Sequence, residues 1–430
     1  MSSLIKSVIG RRVWDSRGRP TVETEITLEG GRTGRAIAPA GASTGSAEAV
    51  DLRDGGAAFG GHDVQGALRA VNGEIADLLI GRDVTDQSGL DAALIELDGT
   101  PNKHRLGGNA VVATSMAIAH AAAASQNLPL WRYLGAGSKD FHLPLPEVQI
   151  FGGGAHAGRR VDVQDFMVIA VGASDYAQSL EWTAEVYRAA GLLMSEAGLL
   201  AGVADEGGWW PAFDSNEQAL DFLLRAIERA GYTPGQDVAI SLDIAATDFG
   251  RKGQYSLARD GRRIDSDGMC EMLLGWLARY PIVAIEDPLA EDDAGGLRKF
   301  TAAAGPDVEV VADDFICTNA ARISSAAACG ACNTALIKPN QAGTLSETRA
   351  AFDAARAAGW EAIISARSGE TEDVTIVHLA VGWGAKQLKV GSFSRSERMA
   401  KWNEGLRLAA ALEQAGGRLA PRESFPWGRR

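Results

Sequence analysis

Three acids, Asp243, Glu286 and Asp313, each close a short apolar run, in AISLD, IVAIE and VEVVAD. A hard cation such as magnesium takes oxygen ligands and leaves positions for water or substrate. Three converging carboxylates without a cation would repel until some were protonated. A merely solvated acidic rim would leave unexplained why each acid directly follows an apolar strand. Lys338 follows TALI in the same way, and Lys389 follows QL. A lysine beside a dication has its ammonium form disfavoured, so its pKa is expected to fall toward the range of a general base. Glu206 lies in VADEGGWWP, a glycine-bearing turn that lets backbone approach a ligand. Arg367 and Ser368, in SARSGETED, offer a planar cation and a hydroxyl to an anionic oxygen group. As a set these residues describe proton abstraction α to a carboxylate, with the resulting dianion stabilised by metal and lysine.

Something must bring them together. After about residue 145 the chain repeats one unit, a short apolar strand ending in a polar or charged residue and then a helical pattern. The strands read VDVQDFMV, VAISLDIA, PIVAIEDPL, VEVVADDF, TALIKPNQ, EAIISARS and QLKVGS, with key residues at 165, 243, 286, 313, 338, 367 and 389. From position 286 onward the key residues recur every 22–29 residues, one βα unit each time. Apolar runs rather than alternation mark a parallel sheet covered by helices on its faces. Seven or eight such units close into an α/β barrel, and the residues just past each strand converge on its C-terminal face. The first 140 residues differ. VETEITL (22–28) alternates, and with residues 35–37 it reads as a short antiparallel meander; Ala67 to Ala123 carries helical spacing. Pro144 and Pro146 mark a boundary, giving an expected N-terminal domain at 1–140 and a barrel at 141–430.

Composition narrows the field. The chain has 430 residues, 46% hydrophobic and 23% charged, with a net charge of −13. No basic field exists to attract a phosphate backbone, so nucleic acid and membrane surfaces are not expected partners. A local cluster of Arg, Lys and metal still suffices for a small phosphorylated molecule. Four cysteines do not make a disulfide framework, and Cys329–Cys332 lacks a second ligand pair, so both read as small residues in an Ala-rich helix. The N-terminus has no signal-peptide apolar core and no run of about 18 apolar residues suggests a span; a reducing cytoplasm is expected.

The sequence resembles the enolase (phosphopyruvate hydratase) family along nearly its whole length. The stretches that carry the likeness include DSRGRPTVE, AGASTGSAEAVDLRDG, ELDGTPNK, GGAHA, QDFM, DEGGWWP, LDIAATDF, IEDPL, ADDF, IKPNQAGTLSET, RSGETED and KVGSFSRSER. The resemblance implies an N-terminal α+β domain capping a modified (β/α)8 TIM barrel, usually as a dimer. It implies that Asp243, Glu286 and Asp313 hold a high-affinity magnesium. Ser43, in the GASTG loop, would close over substrate and help hold a second. Lys338 would remove the C2 proton of 2-phosphoglycerate, and Glu206 would assist departure of the C3 hydroxyl. Lys389 would pair with the substrate carboxylate and Arg367 and Ser368 with its phosphate, with His156 and Gln164 close by.

The match has gaps. Position 366 is Ala where the family pattern has a phosphate-contacting histidine, and Asp165, in the catalytic set, replaces a glutamate. Losing a hydrogen bond to a charged group costs about 1.5–3 kcal/mol, or roughly 10- to 150-fold in binding or rate. Pro339 and Ala40 also depart from the usual KVNQ and SGAS. The metal ligands and Lys338 are unchanged. These departures favour a specialised paralogue of the carboxyphosphonoenolpyruvate synthase type, from phosphonate natural-product pathways, taking a phosphorylated or phosphonylated carboxylic acid. A true phosphopyruvate hydratase is the alternative, and a non-catalytic binding protein on the same fold is less favoured.

Overall fold

The computed structural model describes residues 2–138, 140–413 and 418–429. Strands β1 (Ile5–Trp14), β2 (Pro20–Leu28) and β3 (Thr33–Ile37) form an antiparallel meander in that order. The helix Gly108–Ser125 lies across it. Its NAVVATSMAIAHAAAA sequence is apolar all round, and it is buried on almost every face, as such a helix must be. Close approach depends on Gly34, where a Cβ would run into the helix backbone at Ala117 and Ala121.

Eight strands close the barrel: β4 (Leu145–Gly152), β5 (Asp165–Ile169), β6 (Ala239–Asp243), β7 (Ile282–Glu286), β8 (Glu309–Ala312), β9 (Thr334–Ile337), β10 (Glu361–Ser365) and β11 (Gln387–Ser392). From β6 to β11 neighbours are parallel, and β11 pairs parallel with β4 to close the ring. β5 is the exception. It runs antiparallel to both β4 and β6.

Three expectations are corrected here. A uniformly parallel barrel is replaced by one with a reversed second strand, because β4 and β5 are joined by a loop rather than a crossover helix. Asp165 therefore opens its strand instead of ending it, yet the reversal still puts it beside Asp243. The first barrel strand, LPEVQIFG, falls where the two prolines read as a boundary; it is buried along its whole length, so alternation could not reveal it. Likewise β1, half exposed and dotted with arginines, was not expected at all.

The two parts of the chain share one continuous apolar core running from Ile5 to Leu412. Polar links cross between them: Lys103 Nζ to Glu347 Oε1 at 2.6 Å, His120 Nε2 to Thr375 Oγ1 at 2.8 Å, and Asp91 Oδ2 with Ser346 Oγ at 2.6 Å. Ala40 and Gly369 exchange backbone hydrogen bonds at 2.9 and 2.8 Å, which docks the loop after β3 onto the barrel rim. Among the described residues no helix is long and apolar enough to cross a membrane.

Candidate active site

Strand ends build the site. Asp243 and Glu286 are the last residues of β6 and β7 and sit side by side in register. Asp313 follows β8 directly, and Lys338 follows β9. Pro339 then takes the first helical position of Pro339–Ala342, where its missing N–H and fixed φ cost nothing. Arg367 and Ser368 follow β10, and Lys389 is the third residue of β11. Glu206 lies in the turn of a hairpin, Leu200–Val203 with Trp209–Pro211, which Gly207 closes at φ +90°. A narrow cleft is lined by Ser43, His156, Gln164, Asp165, Glu206, Asp243, Asp313, Lys338, Arg367, Ser368 and Lys389. Every residue singled out from the sequence is there except Glu286, which lies behind Lys389.

The buried acids are held by buried lysines. Lys389 Nζ stands 2.8 Å from Asp243 Oδ2, 2.6 Å from Glu286 Oε2 and 3.4 Å from Asp165 Oδ2. Lys338 Nζ contacts Asp313 Oδ2. Asp243 and Glu286 thus already share one positive charge, and Glu286 Oε1 is buried with no hydrogen-bond partner among the described residues. Hard oxygen donors with an unused buried lone pair fit a magnesium ion. Among the described residues, the acids whose oxygens fall within 4.8 Å of one another are a different trio, Asp287, Asp313 and Asp314. Asp287, however, spends its two oxygens on the backbone N–H groups of Asp313 and Asp314, both at 2.9 Å. It aims Asp313.

Burial and mutual repulsion set the charges. Burial, then Asp243, pushes the Glu286 carboxyl well up. Burial with Asp313 raises Asp287 to about 8, and burial with Asp287 raises Asp314 to about 9. Burial would also raise Asp313, but Lys338 and Arg367 outweigh it and hold it low. Lys338 is expected to fall beside a dication, and its protein neighbours alone act the other way. Burial does act to lower it, yet the Asp313 carboxylate in direct contact prevails and holds the ammonium above its ordinary value. A dication on the same carboxylate would oppose that hold.

Around Glu206 a second group assembles. His156 Nε2 lies 3.1 Å from Asp165 Oδ1, and its Nδ1 lies 3.7 Å from Glu206 Oε1. Burial alone would lower the imidazole, but Asp165 and Glu206 overcome it and raise it to about 9. Burial and the Asp165 charge push the Glu206 carboxyl up. Gln149 ties this group together: its Nε2 donates to Asp165 Oδ1, and its Oε1 accepts the Gly208 N–H at 2.9 Å. Trp210 Nε1 donates to the Ala157 carbonyl at 2.5 Å, fastening the hairpin to the histidine loop. Gln164 Nε2 donates to Asp243 Oδ2 at 2.9 Å and so links this group to the acid triad.

The loop after β3 is folded over the other side. Arg367 donates to Glu48 Oε2 at 2.9 Å, to the Ser43 carbonyl at 2.9 Å and to Asn340 Oδ1 at 3.2 Å. The Ser368 hydroxyl accepts the Ala42 N–H at 2.7 Å, and the Ser43 hydroxyl donates to Asp248 Oδ1 at 3.3 Å. Glu48, Gln149 and Gln341 were missed from the sequence. Glu48 and Gln341 lie inside quoted motifs, GASTGSAEAV and IKPNQAG, as the polar residues left without a role. Gln149 sits on the strand that was not recognised. Ala366 lines the cleft. Ala40 is buried and held through backbone alone, so the lost serine hydroxyl leaves that docking contact intact.

Fold and site together define a two-part magnesium-type barrel enzyme, with carboxylates, lysines and an arginine converging on the C-terminal face of the barrel. Comparison with known proteins is specific. Residues 5–134 match the family model described as Enolase, N-terminal domain, and residues 140–420 that described as Enolase, C-terminal TIM barrel domain. Enolase 1 of Desulfitobacterium hafniense (strain Y51) is 48% identical over 411 residues, covering 95% of this chain and 94% of its own. Enolase of Acidothermus cellulolyticus is 47% identical over 424 residues, covering 99% and 98%. The chain belongs to the enolase family, whose members are magnesium-dependent lyases.

Proposed function

We propose that this chain is a phosphopyruvate hydratase, converting 2-phosphoglycerate to phosphoenolpyruvate and water. The observation that carries the reading is one cleft holding a lysine, a carboxyl pushed up by burial and the Asp165 charge, and an arginine with a serine for an oxyanion. Lys389 faces the substrate carboxylate and Arg367 with Ser368 the phosphate. Lys338, once the ammonium that Asp313 favours has lost its own proton, takes the C2 proton. Glu206 gives its proton to the departing C3 hydroxyl, which leaves as water, and the electron pair from C2 forms the double bond. Asp243, Glu286 and Asp313 would hold magnesium, with Ser43 assisting a second; a metal there would supply positive charge for the substrate carboxylate as it gains negative charge. Both relatives carry the name Enolase, which favours this reading over the specialised paralogue suggested by the sequence departures.

The second reading, an enzyme for a bulkier phosphorus substituent, draws support from Ala366 on the cleft wall and the shortened Asp165. One assay separates them. With Mg²⁺ and 2-phosphoglycerate, enolpyruvate absorbance in the ultraviolet should rise, and Ala366→His should raise kcat/KM about tenfold by restoring a charged donor. Absent turnover, with C2 proton exchange into deuterated water retained, would replace the hydratase by the paralogue. Neither turnover nor exchange would leave a binding protein.

A further inference from the structure

Thr318 and Gln341 lie next to the cleft, both almost wholly buried, and neither has a part in the chemistry above. Their hydrogen bonds form a directed chain. The Lys338 N–H donates to Thr318 Oγ1 at 2.9 Å, so the hydroxyl's one proton is free for Gln341 Oε1, 2.6 Å away. That bond fixes which end of the amide is the carbonyl. The amide nitrogen is therefore turned to two carboxylates at once, Asp313 Oδ1 at 2.9 Å and Glu48 Oε1 at 3.0 Å. Glu48 in turn holds Arg367. Backbone geometry shows that the arrangement is imposed: Cys317 and Thr318 are successive non-glycine residues at φ 45° and 48°, and a β-branched residue occupies that region only under constraint.

We propose that Gln341, oriented by Thr318, is a positioning residue that couples the metal-binding carboxylate Asp313 to closure of the loop at residues 40–48. A cation held by Asp313 fixes the carboxylate that fixes the amide. The amide's second hydrogen then holds Glu48, and Glu48 holds the loop against Arg367. Coupling between two sites is reciprocal, so loop closure strengthens cation binding by the same factor. The inference rests on the proposed reading only in taking Asp313 as a metal ligand.

The test uses Mg²⁺ alone, without substrate, so failure of the hydratase reading leaves it intact. Mg²⁺ affinity is measured by calorimetric titration of the whole chain and of Thr318→Val, Thr318→Ser and Gln341→Leu. In parallel, cleavage after Glu48 by a Glu-specific protease is followed by mass spectrometry with and without Mg²⁺. Removing the hydroxyl or the amide should weaken Mg²⁺ binding about 10- to 100-fold, the usual effect of losing a group that orients a metal ligand. It should also abolish the protection Mg²⁺ gives at Glu48. Thr318→Ser keeps the hydroxyl and should stay within about threefold of the parent. The valine is the same shape as threonine and equally β-branched, so it carries the test where Gln341→Leu does not fold. Unchanged affinity in Thr318→Val, or an equal loss in Thr318→Ser, would overturn the proposal.

Discussion

His156 stands between two carboxylates that keep its proton on, 3.1 Å from Asp165 and 3.7 Å from Glu206. Its value is raised in the folded protein to about 9 against an ordinary 6.5. The stabilisation that follows is fully present below pH 6.5 and is lost as pH rises from there through 9. Shifts of this size correspond to roughly 3 kcal/mol, so the melting temperature should fall by several degrees across that window. A His156→Gln variant, measured by circular dichroism from pH 6 to 9.5, should melt lower at pH 6 and show a flatter pH dependence; a slope equal to the parent's would refute the assignment. At this scale the sequence was most informative. Acids and lysines next to apolar runs are chemically conspicuous, and eleven of the twelve residues named from it line one cleft. What it hid were Glu48, the partner of Arg367, and several neutral side chains. Gln149, Gln341 and Thr318 act only by direction of hydrogen bonding, and residue type alone does not carry direction.

Loops and strands decide how these residues meet. The segment at 40–48 lies so close to Arg367 that a Cβ on Gly41 would collide with the guanidinium. Gly41→Ala should therefore displace Arg367 or lift the loop, raising KM for 2-phosphoglycerate at least tenfold while the melting temperature moves by no more than a few degrees. A KM within twofold of the parent would show that the arginine and loop are not matched in this way. The parallel strands β6 to β11 were readable because an apolar run, an end residue and a following helix recur together. β4 was not recognised, and β5 was read as a strand without its direction, because pairing direction depends on the connection between them. Prolines such as Pro144 and Pro146 look the same whether they open a strand or separate domains.

Across the whole molecule, the apolar core passes without a break from the meander into the barrel, and buried Lys103 crosses to Glu347. A core that is not divided should not melt in parts. Scanning calorimetry is expected to give one transition, shifted as a unit and downward by Lys103→Ala; two separable peaks would show that the domains are held together more weakly than the contacts imply. The net charge of −13 gave no reason to expect basic-surface functions, yet the site buries Lys338, Arg367 and Lys389 among its carboxylates, and only the fold could show that pairing. The reversed second strand has one more consequence, for how such a barrel can change its chemistry over time. Where strand and helix follow in the usual order, the acid is set by the strand, and the segment after it can lengthen or shorten without moving it. At Asp165 the order is inverted: the connecting segment, 153–164, comes first and delivers the acid, along with His156 and Gln164, to the rim. Insertions there reshape three site residues in a single event, which makes this stretch the natural point of divergence for new substrates on an unchanged metal centre.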